Sequence, residues 1–332
     1  MAEKYATLED VANVVGMSRA QVSRALRGDL GVKPSTRERV VKAATALGYR
    51  PHMAARHLAS AQSNTVGLAI GEPMNPYHMQ LAQALDAELA RAGLDSVVSL
   101  RALDDASSLR ESDRLISLRA AGVLLISTPH GGKAIAEIAR RLPCVYLGSS
   151  VDHPDVSTVS ADDEAGVRTA MLHLIALGHR RIAHIGGGPE PADAERLQTY
   201  LQVMAEAGLT PQVQIGRNDT DSGWRGSHAL MRQPEPPTAI FTVNDFVAIG
   251  AINGLHALGL RVPDDVSVIG FDDIPAASSE MLSLTTLRQN VVEQARWAVQ
   301  SLQLRMRDPS AAAMNTVVPV ELILRRSVRK LG

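Results

Sequence analysis

From residue 66 to residue 271, short apolar and β-branched runs alternate with helical stretches, and that alternation restricts the possible folds more than any other feature of the chain. Runs of strand character occupy residues 66–70, 97–100, 123–126, 144–147, 181–185, 239–243 and 266–271. Helical segments lie between them, among them 77–91, 165–177, 194–205 and 246–258. Strands that are apolar along their whole length, separated by amphipathic helices, predict parallel sheets covered on both faces. The break at 151–159, which holds two Asp, a Pro and a His, predicts two successive α/β lobes rather than one long sheet. Ligands in such folds sit beyond the carboxyl ends of the strands, so two lobes would hold one in the cleft between them.

The first 62 residues follow different rules. Over all 332 residues the formal charge is −1, which taken whole disfavours a nucleic-acid partner. Residues 1–62, however, hold ten Lys and Arg against five Asp and Glu, a formal +5, which leaves −6 on the remainder. Such asymmetry points to an anionic partner for the head alone. Within the head, Thr7-Leu8-Glu9-Asp10 and Ser18-Arg19-Ala20-Gln21 are capping boxes, and Ser35-Thr36-Arg37-Glu38 reads as a third. Gly16, Gly28 and Gly48 end the helices that these open. Two short helices about a tight turn, steadied by a third, predict a helix-turn-helix unit. A helical cap on an enzyme is the other reading; the basic charge and the polar second helix favour DNA. A short helix is also expected after Pro51, too short to be stable alone, followed by the polar linker Ala61-Gln62-Ser63-Asn64-Thr65. A helix that needs a partner in order to form is suited to couple two parts of a molecule.

Motifs of catalysis are missing. There is no Walker loop and no Gly-x-Gly-x-x-Gly after a strand, and Gly186-Gly187-Gly188-Pro189 reads as a strand-to-helix loop. No His-Glu-x-x-His and no paired cysteines are present, so neither a metal nor a cofactor is expected. The single Cys144 excludes a disulfide scaffold and, inside an apolar run, reads as a buried inert thiol. Asp272-Asp273 follows a strand and reads either as an acid pair or as hydrogen-bond acceptors for a polyol. No apolar run is long enough to span a bilayer and the N-terminus does not read as a signal peptide, so a cytoplasmic protein with no membrane partner is expected.

Several stretches carry a resemblance. Thr7-Leu8-Glu9-Asp10-Val11-Ala12 and Gly16-Met17-Ser18-Arg19-Ala20-Gln21-Val22-Ser23-Arg24-Ala25-Leu26 stand in the head. In the body are Leu177-Gly178-His179-Arg180-Arg181-Ile182, Val262-Pro263-Asp264-Asp265-Val266-Ser267-Val268-Ile269-Gly270-Phe271-Asp272-Asp273 and Leu284-Thr285-Thr286-Leu287-Arg288-Gln289. Together they resemble the LacI/GalR family of bacterial transcriptional regulators over essentially the whole chain. The resemblance implies a DNA-binding head at 1–49, a hinge helix and linker at 50–63, and an effector-binding and dimerisation core at 64–332, like periplasmic sugar-binding proteins. It places lobe 1 at 64–160 and 290–318 and lobe 2 at 161–289 and 319–332.

The resemblance also assigns residues. Arg19 and Ala20 fall where the family's recognition helix reads base edges, with Arg24 nearby. An arginine there can make a bidentate contact to guanine; a phosphate contact is its other reading. Thr7, Ser18, Ser23, Lys33 and Thr36 match phosphate-contacting positions. Leu58 matches a hinge leucine that wedges into the minor groove, or else packs between paired hinges, and Ala59 stands where some relatives carry a lysine. Tyr77, His78, Thr128, Arg196, Asn218, Asn244 and Asp272 match effector-pocket positions. A surface arginine is the alternative for Arg196, and a helix cap for Asn244-Asp245. Asn218 replaces a stacking aromatic found in some relatives, Trp224 is offset from it and reads as helix core, and Gly148-Ser149 replaces an acid-containing pair. These departures favour a sugar or sugar derivative over a nucleobase.

With no heptad tail after the core, a homodimer on a palindromic operator is expected. The function implied is a repressor of carbohydrate-metabolism genes, released from DNA by a sugar-like effector. A solute-binding protein with a vestigial head, a corepressor-dependent regulator such as one for a purine, and a sugar-processing enzyme are the alternatives.

Overall fold

The computed structural model describes residues 6–29, 31–49, 63–100, 105–127, 131–149, 151, 153–187 and 190–331. They fall into two compact units divided between Ser63 and Asn64. The helix expected after Pro51, with Leu58 and Ala59, lies outside the described residues.

The first unit holds α1 (Leu8–Val15), α2 (Arg19–Arg27) and α3 (Pro34–Ala46). Two of the three expected capping boxes form. The Asp10 amide donates to Thr7 Oγ1 at 3.3 Å while Asp10 Oδ2 accepts from the Thr7 amide at 2.7 Å. The Gln21 amide likewise donates to Ser18 Oγ at 3.3 Å, and Gln21 Oε1 accepts from the Ser18 amide at 3.0 Å. The third helix starts differently from expectation. Lys33 is its N-cap, with no side-chain cap bond, and Pro34 opens it, so Ser35 lies inside the first turn. A proline fits the first helical position, since its missing N–H would have no partner there. Val11, Ala12, Val22, Ala25, Val40 and Ala44 form the buried centre of this unit.

The second unit runs β1 (Thr65–Ile70), α4 (Pro76–Arg91), β2 (Asp95–Ser99), α5 (Asp105–Ser117), β3 (Gly122–Ile126), α6 (Gly131–Ala139), β4 (Cys144–Gly148) and β5 (Val156–Ala161). It continues with α7 (Asp163–Ala176), β6 (Ile182–Gly186), α8 (Pro191–Glu206), β7 (Gln212–Ile215), α9 (Thr220–Met231), β8 (Ala239–Thr242), α10 (Asp245–Ala257) and β9 (Ser267–Asp272). It closes with β10 (Thr285–Gln289), α11 (Val291–Arg307), β11 (Asn315–Val318) and β12 (Val320–Ile323).

Two sheets result, ordered β11-β5-β4-β3-β1-β2 and β12-β10-β9-β8-β6-β7. All pairings are parallel except β10 with β12. The pleat sends alternate residues to opposite faces. Leu124 and Ile126 join a core with Leu81, Leu85 and Leu302 of α4 and α11. Val123 and Leu125 join Leu115, Ile135 and Ile138 of α5 and α6 on the other face. In the second sheet Ile240 and Val268 meet α10, while Phe241, Ile269 and Phe271 meet α7 and α8.

Part of the break expected at 151–159 is strand. β5 is buried along nearly its whole length although it reads Val-Ser-Thr-Val-Ser-Ala. Two of its polar side chains are satisfied at the start of the incoming β11: Thr158 Oγ1 donates to Asn315 Oδ1 at 2.8 Å, and Ser157 Oγ accepts from the Met314 amide at 3.1 Å.

Helices α9 and α10 touch backbone to backbone. A Cβ on Gly250 would lie 1.9 Å from the Thr220 carbonyl oxygen, and one on Gly223 would lie 2.0 Å from that of Val247. The chain passes between the sheets after β5, β10 and β11. The carboxyl ends of both sheets therefore border one cleft. Cys144 is buried, and burial pushes its thiol up to about 12. Among the described residues no helix is long and apolar enough to cross a membrane.

Candidate functional site

In the first unit, α2 turns Arg19, Ala20 and Arg24 to solvent while Val22 and Ala25 are buried beneath. Ser23 is half-buried. Both arginines are exposed on a short helix whose N-terminus carries partial positive charge, an arrangement that suits phosphates and the acceptor edge of guanine. Arg19 Nε is 3.3 Å from Glu9 Oε2, so α1 supplies its counter-charge in the absence of DNA. Thr7 and Ser18 are exposed, with their hydroxyls engaged in the capping boxes. Lys33 is exposed at the start of α3, and Thr36 is half-buried in its first turn.

In the second unit the cleft encloses about 520 Å³, its open mouth included. Arg196, on the second turn of α8, is its centre. Nε donates to Asp163 Oδ1 at 2.8 Å and Nη1 to the Val243 carbonyl at 2.7 Å, while the guanidinium lies 3.6 Å over the Phe271 ring. Burial opposes its charge, but Asp163, Asp272 and Asp193 outweigh that and hold the guanidinium protonated. Two N–H groups are spent on holding the fork still, and the others remain for a ligand. Arg196 is thus a buried arginine, not a surface one.

Asp272 ends β9 with φ at 118°, a left-handed backbone that is strained for any side chain. Its Oδ1 accepts from Gln289 Nε2 at 2.7 Å. Gln289 Oε1 accepts from Gln294 Nε2 at 3.2 Å, and Gln294 Oε1 from the Tyr77 hydroxyl at 2.9 Å. This relay joins the strand ends of one sheet to α4 beside the other. Burial raises the Asp272 carboxyl, with Arg196 opposing, and burial likewise raises the Tyr77 phenol. His78 Nδ1 is 3.2 Å from the Glu72 carbonyl, and burial lowers the ring's affinity for a proton, so it stays neutral near pH 7. Asn244 Oδ1 caps α10 by accepting from the Val247 amide at 2.8 Å, and the residue also lines the cleft, so both readings of it hold. Asp245 is turned away, accepting from Thr286 Oγ1 at 2.5 Å and the Ile274 amide at 2.9 Å.

The opposite end of the cleft is acidic. Asn218 Nδ2 donates to Asp193 Oδ2 at 3.1 Å, and Glu190 lies beside them with Glu72 behind it. Burial raises Asp193 to about 7, with Arg196 opposing and Glu190 adding to the rise. Burial and then the Glu190 charge raise Glu72 to about 7. Gly187 lets these groups close in, because a Cβ there would lie 1.8 Å from Asn218 Oδ1. Among the described residues no group of three His, Cys, Asp or Glu is placed to hold a metal ion.

Residues 7–52 match the model of bacterial regulatory proteins of the lacI family, and residues 171–328 match a periplasmic binding protein-like domain. The chain is 31% identical to the HTH-type transcriptional repressor CytR of Escherichia coli, over 99% of this chain and 98% of that protein. The chain belongs to the LacI family. The lac repressor dimer bound to operator and the anti-inducer ONPF shares its fold with a TM-score of 0.87 and 26% identity, over 98% of this chain and all of that one. The CelR–cellobiose complex aligns with a TM-score of 0.73 and 30% identity, over 97% of this chain and 99% of that one. This LacI-family protein is accordingly a DNA-binding transcriptional regulator of a family that is not enzymatic.

Of the pocket positions expected for a LacI-family member, Tyr77, His78, Arg196, Asn218, Asn244 and Asp272 all line the one cleft. Thr128 and Leu58 lie outside the described residues. Asp273 is not in the cleft; it pairs with Arg288 and Arg325, each at 2.7 Å, so Asp272 and Asp273 are not an acid pair facing a ligand. Trp224 is not helix core. It is 42% exposed on α9 and stacks on His228 with ring centres 3.9 Å apart. Gly148 lines the cleft, and Ser149 is buried with an unbonded hydroxyl. Sequence reasoning missed Asn75, Ser127, Asp163, Glu190, Asp193, Gln289 and Gln294, which also line it. Position was the available signal: each follows the carboxyl end of a strand or opens the next helix.

Proposed function

We propose that the protein is a dimeric repressor that binds a palindromic operator through its helix-turn-helix head and releases it when a small polyhydroxylated effector enters the cleft. The observation that carries this reading is the convergence of Arg196, Asn244 and Asp272: a fixed guanidinium, an amide and a carboxylate acceptor, as vicinal hydroxyls require. Tyr77, His78 and Asn218 line the same cleft, and the family resemblance assigns Thr128 to effector binding with them. In the head, Arg19 and Ala20 read base edges with Arg24 beside them, and Thr7, Ser18, Ser23, Lys33 and Thr36 set the register on phosphates. Leu58, in a hinge at 50–63 between the head at 1–49 and the core at 64–332, wedges the centre of the operator. Lobe 1 comprises about 64–160 and 290–318, lobe 2 about 161–289 and 319–332, and the effector sets the angle between them. The cellobiose complex of CelR and the operator complex of the lac repressor support both halves of the reading. A protein with this task works in the cytoplasm, on carbohydrate-metabolism genes.

Coupling between the two ligands is reciprocal: an effector that weakens operator binding must itself bind more weakly to the DNA-bound protein. The test is selection from random DNA by the full-length chain, repeated with a panel of sugars. Recovery of a palindrome whose binding a sugar weakens supports the reading. Enrichment of no sequence, or tighter DNA binding with the effector, overturns it.

A further inference from the structure

The acidic end of the cleft has more acceptor capacity than the protein can answer. Asp163, Glu190, Asp193 and Asp272 all line the cavity, and Arg196 is the one cation among the described residues that does so. Arg196 is committed to Asp163, and neither Glu190 nor Asp193 has a salt bridge among the described residues. Glu190 is only 8% exposed, yet its Oε1 has no hydrogen-bond partner among the described residues, and the same holds for the buried Oδ1 of Asn218. Among the described residues the Asp193 carboxyl receives one hydrogen bond, from Asn218. Glu190 shares a side-chain hydrogen bond with Glu72, which is itself a carboxyl, so three carboxyls without a salt bridge among the described residues and two acceptors without donors meet at one place.

Buried acceptors without donors are costly, and buried carboxylates without a counter-charge more so. A ligand that answers them must bring several N–H or O–H donors and positive charge. A hydroxyl offers one donor and leaves the charge unmet. A phosphate or carboxylate would add like charge and more acceptors. A protonated amine offers three donors, no acceptor and the missing charge.

We propose that the effector carries a cationic nitrogen, seated between Glu190 and Asp193, on a polyhydroxyl frame held by Arg196, Asn244 and Asp272. The class is a small amino sugar. The inference rests on the reading of this cleft as the effector site and narrows what enters it. The upward displacement of Asp193 and Glu72 to about 7 agrees, because carboxyls awaiting a cation hold their protons more tightly until it arrives.

Matched ligands test it. The full-length chain is titrated by calorimetry at fixed pH with the neutral hexose, the 2-amino-2-deoxyhexose, the hexose 6-phosphate and the hexuronate of the gluco, galacto and manno series. The amine is expected to bind at least about tenfold tighter than its neutral parent in a series that binds, the effect of one charge-assisted contact. Glu190→Gln and Asp193→Asn are each expected to remove most of that preference, and both substitutions keep shape and volume. The proposal is overturned if no amine binds, if a neutral or anionic member binds as tightly as its amine, or if the preference survives the double variant. Measurement of release from a selected operator separates the two readings. Release by a neutral or anionic sugar at concentrations as low as its amine requires, or lower, sinks this inference and leaves the repressor standing. Amine binding by a chain that selects no DNA sequence does the reverse.

Discussion

Arg196 Nε and Asp163 Oδ1 meet at 2.8 Å from two helices that open beyond different strands, and their side chains are only 8% and 2% exposed. The pair fixes the guanidinium against the Phe271 ring before any ligand arrives, so the donors left over are already aimed. Asp163→Ala would leave a buried guanidinium with its nearest counter-charge gone. The expected cost is about 3–5 kcal/mol, and the core should melt roughly 6–20 °C lower. Calorimetry of the full-length chain measures it. A melting temperature within about 2 °C of the parent would show that Asp272 and Asp193 suffice without Asp163.

How far the sequence reveals this site depends on where each residue sits. Arg196, Asn244 and Asp272 are legible through the family resemblance, and Asn244 and Asp272 also stand at strand ends, where ligands of parallel sheets bind. Arg196 is on the second turn of α8, where position alone does not distinguish it from a surface arginine. Asp163, Glu190 and Asp193 sit at or near the starts of helices, where an acid ordinarily compensates the helix dipole, so nothing in the local pattern separates a ligand group from a cap. The fold divides the same way. β1, β3 and β4 announce themselves as apolar runs, but β5 is written in serine and threonine, and only the distant Asn315 and Met314 make those side chains affordable inside a sheet. Trp224 was misread because a large aromatic within a helix is usually core, whereas α9 turns Gly223 and Gly226 inward and leaves the indole outside.

Asp193 makes core stability depend on pH. Its carboxyl is raised from an ordinary 3.8 to about 7, mainly by burial. Below the ordinary value both folded and unfolded chains hold the proton, so the native contribution is fully present; it is lost as pH rises through about 7. Asp193→Asn removes that loss. The gain in stability over the parent should therefore be small at pH 4, grow towards pH 7, and then level off at about 1–3 kcal/mol. Thermal denaturation of both proteins across this range checks the sign. A gain that shrinks with rising pH would contradict the assignment.

Gly250 makes an ordinarily favourable change unfavourable. Glycine to alanine within a helix usually gains up to about 1 kcal/mol. At this position the new methyl would stand 1.9 Å from the Thr220 carbonyl oxygen, which is backbone and cannot rotate away. Helices α9 and α10 must part, and a net loss of about 1–3 kcal/mol is expected. Denaturant unfolding of Gly250→Ala measures it, and a variant as stable as the parent would mean that the helices separate freely.

If Arg19 contacts DNA as proposed, Glu9 competes with DNA for it. The pair is exposed at 3.3 Å, so its own contribution to stability is small. Glu9→Ala should release the guanidinium and remove a negative charge from the face meant for phosphates. Affinity for a selected operator is expected to rise between about 1.5- and 5-fold at low salt. The gain should fade as salt increases, because screening weakens what the substitution changed. Weaker binding would place Glu9 among the residues that hold Arg19 in its reading position.

Arg19 and Lys33 are both exposed cations of the head, and their substitution should separate two kinds of contact. Arg19 lies in the first turn of α2, where a fork-shaped donor can grip the acceptor edge of one base. Lys33 lies at the start of α3 as a single mobile charge, suited to a phosphate. Arg19→Ala should therefore cost about 1–3 kcal/mol on the selected sequence and much less on scrambled DNA, relaxing preference at one base pair of each half-site. Lys33→Ala should weaken binding to every sequence alike and reduce the slope of log affinity against log salt by about 0.9 per protomer. Titrations on specific and scrambled duplexes at several salt concentrations distinguish the two outcomes. Equal losses on both duplexes from Arg19→Ala would reassign that residue to the backbone.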